Sequence, residues 1–91
     1  MSVNLTNEIS RGQQAREVIE NPLYQEALSA IKDGLMNAWN DTLPEEQQRR
    51  EECWRSLKVL GTLERELAHH MMTGQLAIEQ REQNAKNPKV S

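Results

Sequence analysis

Forty residues, from Glu45 to Asn84, run without a proline. Gly61 and Gly74 are the only glycines in that run, and each is tolerated inside a helix at a cost of about 1 kcal/mol. A stretch this long with no stop signal predicts one long helix. Cys53, Leu57, Leu60, Leu67, Met71 and Ile78 follow a near-heptad line along it, with either Leu63 or Glu64 filling the intermediate position. Such a helix needs other helices laid along its stripe, and the rest of the chain has to supply them.

Upstream, Tyr24, Leu28, Ile31, Leu35 and Ala38 recur at spacings of four, three, four and three. That pattern predicts a second amphipathic helix over residues 22–39. Asn21-Pro22 is a helix-start signal, with Asn as N-cap and Pro at the first helical position. Proline also disfavours helix at the residue before it, so either a new helix begins at Pro22 or a longer one kinks there. Asn40 to Pro44 breaks the pattern, and Thr42 with Glu45 reads as a capping box for the long helix.

So short a link makes the two helices antiparallel neighbours. Leu35 is expected level with Cys53 and Trp54, Ile31 with Leu57, Leu28 with Leu60, and Tyr24 with Glu64 or Leu67. Gly34 and Gly61 fall at similar heights, where a close backbone approach is expected. Residues 8–20 carry Ile9, Val18 and Ile19 and read as a further helical segment that covers the second half of the long helix, roughly Leu67 to Gln80. The expected organisation is a polar lead-in over residues 1–7, a helical domain over 8–84 and a disordered tail over 85–91. The fold class is all-α, a long antiparallel helical hairpin with its first arm kinked at Pro22.

Composition says what that hairpin lacks. The chain has 91 residues and three aromatics, Tyr24, Trp39 and Trp54, with no Phe. Chains this small struggle to bury a self-sufficient core, and a two-helix hairpin buries one stripe per helix. Leu23, Met36, Trp39, Val59, Met72 and Leu76 lie off those stripes. The fold is therefore expected to be completed by oligomerisation, with Leu23, Met36, Trp39, Trp54, Val59 and Met72 as interface candidates. Trp39 and Trp54 flank the hairpin tip, where they either seal its end or project as partner anchors.

The charge balance excludes a generic nucleic-acid binder. Eleven Lys and Arg face fourteen Asp and Glu, for a net charge of −3, whereas phosphate binding needs a basic face. The single Cys53 cannot form an internal disulfide and reads as a small buried hydrophobe in a reducing compartment. No apolar run reaches the length of a membrane span, and Met1 to Gln14 has no apolar signal core. The cytoplasm, without direct membrane or nucleic-acid contact, is the expected location.

Chemistry finds little purchase. Glu66-Leu67-Ala68-His69 is a Glu-x-x-His, the spacing that presents two ligands in ferritin-like metal centres. Glu26 falls near the same level, so a metal-binding half-bundle of Glu26, Glu66 and His69 is the alternative reading. Against it, Leu67 rather than Glu66 holds the seam, which leaves Glu66 and His69 on a solvated face. His69 and His70 are adjacent on a helix and point apart, so they cannot share an ion. No Ser/His/Asp arrangement, phosphate-binding loop or dinucleotide motif is present. A non-enzymatic protein without cofactors is expected.

Asn21-Pro22-Leu23, Ala27, Ile31, Ala38-Trp39, the tip Thr42-Leu43-Pro44, the run Arg49-Arg50-Glu51-Glu52-Cys53-Trp54, the segment Leu57 to Glu66 and Thr73-Gly74-Gln75-Leu76-Ala77 together resemble a family. It consists of small helical-hairpin proteins of tailed bacteriophages, encoded among structural and packaging genes. The resemblance covers about residues 8–82 and consists of structural positions only. It implies a virion structural or assembly accessory whose partners are copies of itself and phage portal, capsid or other virion proteins. A packaging or regulatory adaptor is a further alternative.

Overall fold

The computed structural model describes residues 4–86. Among them the chain forms three helices and no strand: α1 (Leu5–Glu20), α2 (Pro22–Asn40) and α3 (Gln47–Lys86). The all-α expectation holds. Contacts divide between two units. One joins α1, up to Ile19, to α3 from Glu66 onward; the other spans Glu20–Arg65 and pairs α2 with the start of α3.

The helix ends follow from a few polar side chains. Asn21 is extended and its side-chain oxygen accepts from the N–H groups of Leu23 (2.9 Å) and Tyr24 (3.1 Å), so α2 starts at Pro22 as a separate helix. Asn4 does the same for α1, accepting from the Asn7 N–H at 3.1 Å. Hence α1 begins at Leu5, three residues before the expected Glu8. Leu5 to Asn7 carry one apolar residue, too few for periodicity to show. At the other end Ala85 and Lys86 are still helical. The first three and last five positions of the expected lead-in and tail lie outside the described residues.

The tip uses its polar residues differently from expectation. The Thr42 hydroxyl turns back and donates to the Trp39 carbonyl at 2.6 Å. Its backbone N–H donates to the same oxygen at 3.1 Å. Thr42 thus closes α2 instead of opening α3. The box that opens α3 sits one residue later, where the Glu46 carboxylate accepts from the Leu43 N–H at 2.9 Å.

Within the α1 unit the buried residues are small apart from one isoleucine. Ile9, Gly12 and Ala15 on α1 and Gly74 and Ala77 on α3 are buried. The two glycines meet backbone to backbone. A Cβ at Gly12 would stand 2.8 Å from the Gly74 Cα and 3.0 Å from the His70 carbonyl oxygen; one at Gly74 would stand 2.8 Å from the Gly12 Cα and 3.0 Å from the Glu8 oxygen. The close approach expected at Gly34 and Gly61 is absent, since a Cβ at either meets nothing within 4 Å. Large residues on the α2–α3 seam hold those axes apart, while the α1 unit offers glycine on both sides.

Within the α2 unit, Tyr24, Leu28, Lys32, Leu35 and Ala38 are half-buried on α2, as are Cys53, Leu57, Leu60 and Glu64 on α3. Ile31, expected on this seam, is 51% exposed, and Lys32 takes part of its place. The Lys32 Nζ lies 2.6 Å from the Glu64 Oε1. Helical side chains lean toward their own N-terminus, so on antiparallel helices Lys32 and Glu64 lean toward each other while the lysine methylenes lie along the seam. Glu64, rather than Leu63, therefore fills the α3 position. The Tyr24 hydroxyl is buried without a hydrogen-bond partner. No residue from Glu20 to Arg65 is buried.

Candidate functional site

The α2 unit presents two unlike sides. Successive residues step about 100° around a helix. On α2, Leu23, Ala27, Ala30, Ile31 and Gly34 flank the seam on one side, and Lys32, Met36 and Trp39 on the other. On α3, Ser56, Val59 and Leu63 flank it on one side, and Arg50, Trp54 and Lys58 on the other. One contact settles how these strips combine. The Arg50 guanidinium sits 4.3 Å from the Trp39 ring centroid, so Trp39, Met36, Arg50, Trp54 and Lys58 share one side of the hairpin. Leu23, Ala27, Ile31, Val59 and Leu63 share the opposite side.

The aromatic side is amphipathic. Lys58 Nζ lies 4.2 Å from the Trp54 ring centroid, so both tryptophans carry a cation on one face. Trp39, 36% exposed, is the more covered of the two and helps to close the tip, while Trp54 projects further. The other side has no charged residue between Leu23 and Gly34 on its α2 strip, and its large side chains stand in the open: Leu23 is 71% and Val59 68% exposed. Met72, on the α3 segment of the α1 unit, is 60% exposed. All six residues read from the sequence as interface candidates are accessible, spread over more than one surface.

No protein-family model matches the chain, and neither a curated protein nor a solved structure matches it. The functional reading therefore rests on the residues themselves.

The metal alternative gains no geometry. Among the described residues no three His, Cys, Asp or Glu side chains cluster closely enough to hold an ion, so Glu26, Glu66 and His69 are not brought together as ligands. The His69 and His70 rings are 5.9 Å apart and tilted by 58°. Cys53 is a half-buried free thiol on the α2–α3 seam, the packing role expected of it. Two shallow grooves flank the Gly12–Gly74 contact. Ile9, Arg16, Met71 and Ile78 line one, and Leu5, Glu8, Leu76 and Gln80 the other. Neither joins two titratable groups, so neither holds an acid–base pair.

The Glu46 carboxyl is held below the usual carboxylate range, first by the Leu43 N–H and then by the Arg49 guanidinium at 3.0 Å. It belongs to the helix start. Among the described residues no helix is long and apolar enough to cross a membrane.

One signal was overlooked in the sequence. Gly12-Gln13-Gln14-Ala15 and Gly74-Gln75-Leu76-Ala77 are two copies of Gly-Gln-x-Ala. They are the segments that meet, and their contacts are reciprocal. A Cβ on either glycine would meet the other's Cα and the carbonyl four residues before it, at the same distances. The α1 unit is thus built around a local pseudo-two-fold. Four residues among ninety-one do not stand out as a repeat, and only the pairing gives them meaning.

Proposed function

We propose that this chain is a non-enzymatic structural or assembly accessory protein of a bacteriophage, working through helix–helix contacts with other protein chains. One observation carries the interaction part: the unit Glu20–Arg65 buries no residue, yet it displays Leu23, Ile31, Val59 and Leu63 together on one side. Soluble monomers rarely leave contiguous apolar faces of this kind open. The bacteriophage part rests on the pattern over residues 8–82, which implies virion partners such as portal or capsid proteins and action in the host cytoplasm or the particle. Among the described residues no three His, Cys, Asp or Glu side chains cluster as metal ligands would, and neither groove beside Gly12 and Gly74 joins two titratable groups.

Complementation tests it. A phage deleted for the gene is expected to yield few complete particles, and the wild-type chain supplied in trans to restore them. Leu23→Glu and Val59→Glu chains, if still helical, are expected to restore few. Normal particle yield without the gene would refute the proposal.

A further inference from the structure

We infer that the apolar side of the α2–α3 hairpin is covered by a second copy of this chain, with the α2 of each copy lying on the first half of the other's α3. This rests on the reading above of the chain as an assembly protein and names the partner and the face.

Three observations point to a second copy. First, the need is structural. Forty-six residues, none of them in the buried class, supply little core of their own, and a copy of the same chain is a cover available to every molecule.

Second, the area suffices. A face about 28 Å long, the span of nineteen helical residues, and about 20 Å wide, two helices side by side, projects ~560 Å². Two copies then remove at least ~1,100 Å² from water, above the ~1,000 Å² expected of a specific interface.

Third, the face is self-complementary. Its α2 strip has small residues, Ala27, Ala30 and Gly34, between Leu23 and Ile31, and carries no charge for an oppositely charged partner to read. Its α3 strip has large residues, Val59 and Leu63, with a single carboxylate, Glu52, at its tip end. A two-fold axis parallel to the hairpin puts each small strip against a large one at matching heights, Ala27 beside the other copy's Leu63 and Gly34 beside its Ser56. This contact is isologous and closed, with both tips at the same end of a four-helix bundle. A two-fold perpendicular to the hairpin would set small residues on small and large on large.

Sedimentation equilibrium at micromolar concentration is expected to give twice the chain mass. Ala27→Glu and Leu63→Glu bury a charge in the interface and are expected to weaken dimerisation by about tenfold or more. Met36→Glu and Trp54→Glu, on the opposite side, are expected to leave it unchanged. Because face variants can also unfold, a distance measurement decides independently. With Cys53→Ala to remove the native thiol, a nitroxide at Asp41→Cys reports the separation of the two tips. It is expected near 20 Å, one bundle width; a separation beyond ~30 Å, the length of an α2 arm, would overturn the arrangement. A helical monomer would overturn the second copy as the cover while leaving particle complementation intact. A dimer lost with Trp54→Glu but kept with Leu63→Glu would place the contact on the other side and overturn the inference equally.

Discussion

Replacing Gly12 with alanine sets two opposed effects against each other, and the structure predicts which wins. In an open helix, glycine to alanine stabilises by about 1 kcal/mol. Gly61, on the side of α3 away from the proposed dimer face, is such a site, with nothing within 4 Å of a new Cβ. At Gly12 the new atom stands 2.8 Å from the Gly74 Cα and 3.0 Å from a carbonyl oxygen, against an ordinary carbon contact of about 3.5–4.0 Å. Both obstacles are backbone, so no side chain can turn away. The helices must part by nearly 1 Å, and overpacking of this kind costs about 1–3 kcal/mol. Gly12→Ala should therefore range from neutral to about 2 kcal/mol destabilising, and Gly61→Ala should stabilise by about 1 kcal/mol. At roughly 4–8 °C per kcal/mol for a chain of this size, thermal melts followed by helical circular dichroism at one fixed concentration resolve the difference. Reciprocity adds a second expectation. Once the helices part for one Cβ, the same gap accommodates much of the other. Gly12→Ala/Gly74→Ala should then cost less than the sum of the single variants, a coupling read from the double-mutant cycle. Gly12→Ala stabilising as much as Gly61→Ala, or strict additivity in the cycle, would refute the close-contact argument.

Two smaller perturbations probe the helix ends. Asn21→Ala removes the acceptor for two N–H groups and should cost about 0.5–2 kcal/mol in urea unfolding, whereas Asn21→Asp should be close to neutral. Glu46 has its carboxyl pKa lowered by folding, so its contribution is full above the ordinary carboxylate value of about 4.3 and is lost as pH falls through the lower folded value. Glu46→Gln should therefore flatten the fall of stability with acid, and an unchanged acid limb would count against that assignment.

The sequence was most readable where one residue type has one local job. Asn21 before Pro22 announced a helix start or a kink, which the Asn21 cap resolves as a start, and the spacing of Tyr24, Leu28 and Leu35 placed the seam on the correct arc of α2. The pairing of the Ile9–Ile19 segment with the second half of α3 followed from counting uncovered length. Reading failed where a choice depended on the partner. Ile31 and Lys32 both border the seam, and hydropathy favours the isoleucine. Glu64 across the seam retains the lysine instead, while Ile31 joins Leu23 on the open side. Thr42 had two helix ends within reach and took the nearer. Gly34 and Gly61 are not level, since the register that sets Ile31 beside Leu57 puts Gly34 near Trp54 and Gly61 near Ala27, and close approach also needs small neighbours such as those around Gly12 and Gly74.

The Gly12–Gly74 contact also sets how differently the two units tolerate change. Glycine and alanine have no rotamers to freeze, so this docking costs little side-chain entropy. It also leaves no side chain that could be traded for one of similar volume. The α2–α3 seam, by contrast, is built from leucines, a cysteine and a flexible ion pair, and volume-conserving swaps there usually cost less than about 1.5 kcal/mol. In a library of random variants the seam should drift freely among aliphatic residues. Positions 12, 15, 74 and 77 should stay nearly fixed although they carry the smallest side chains in the chain.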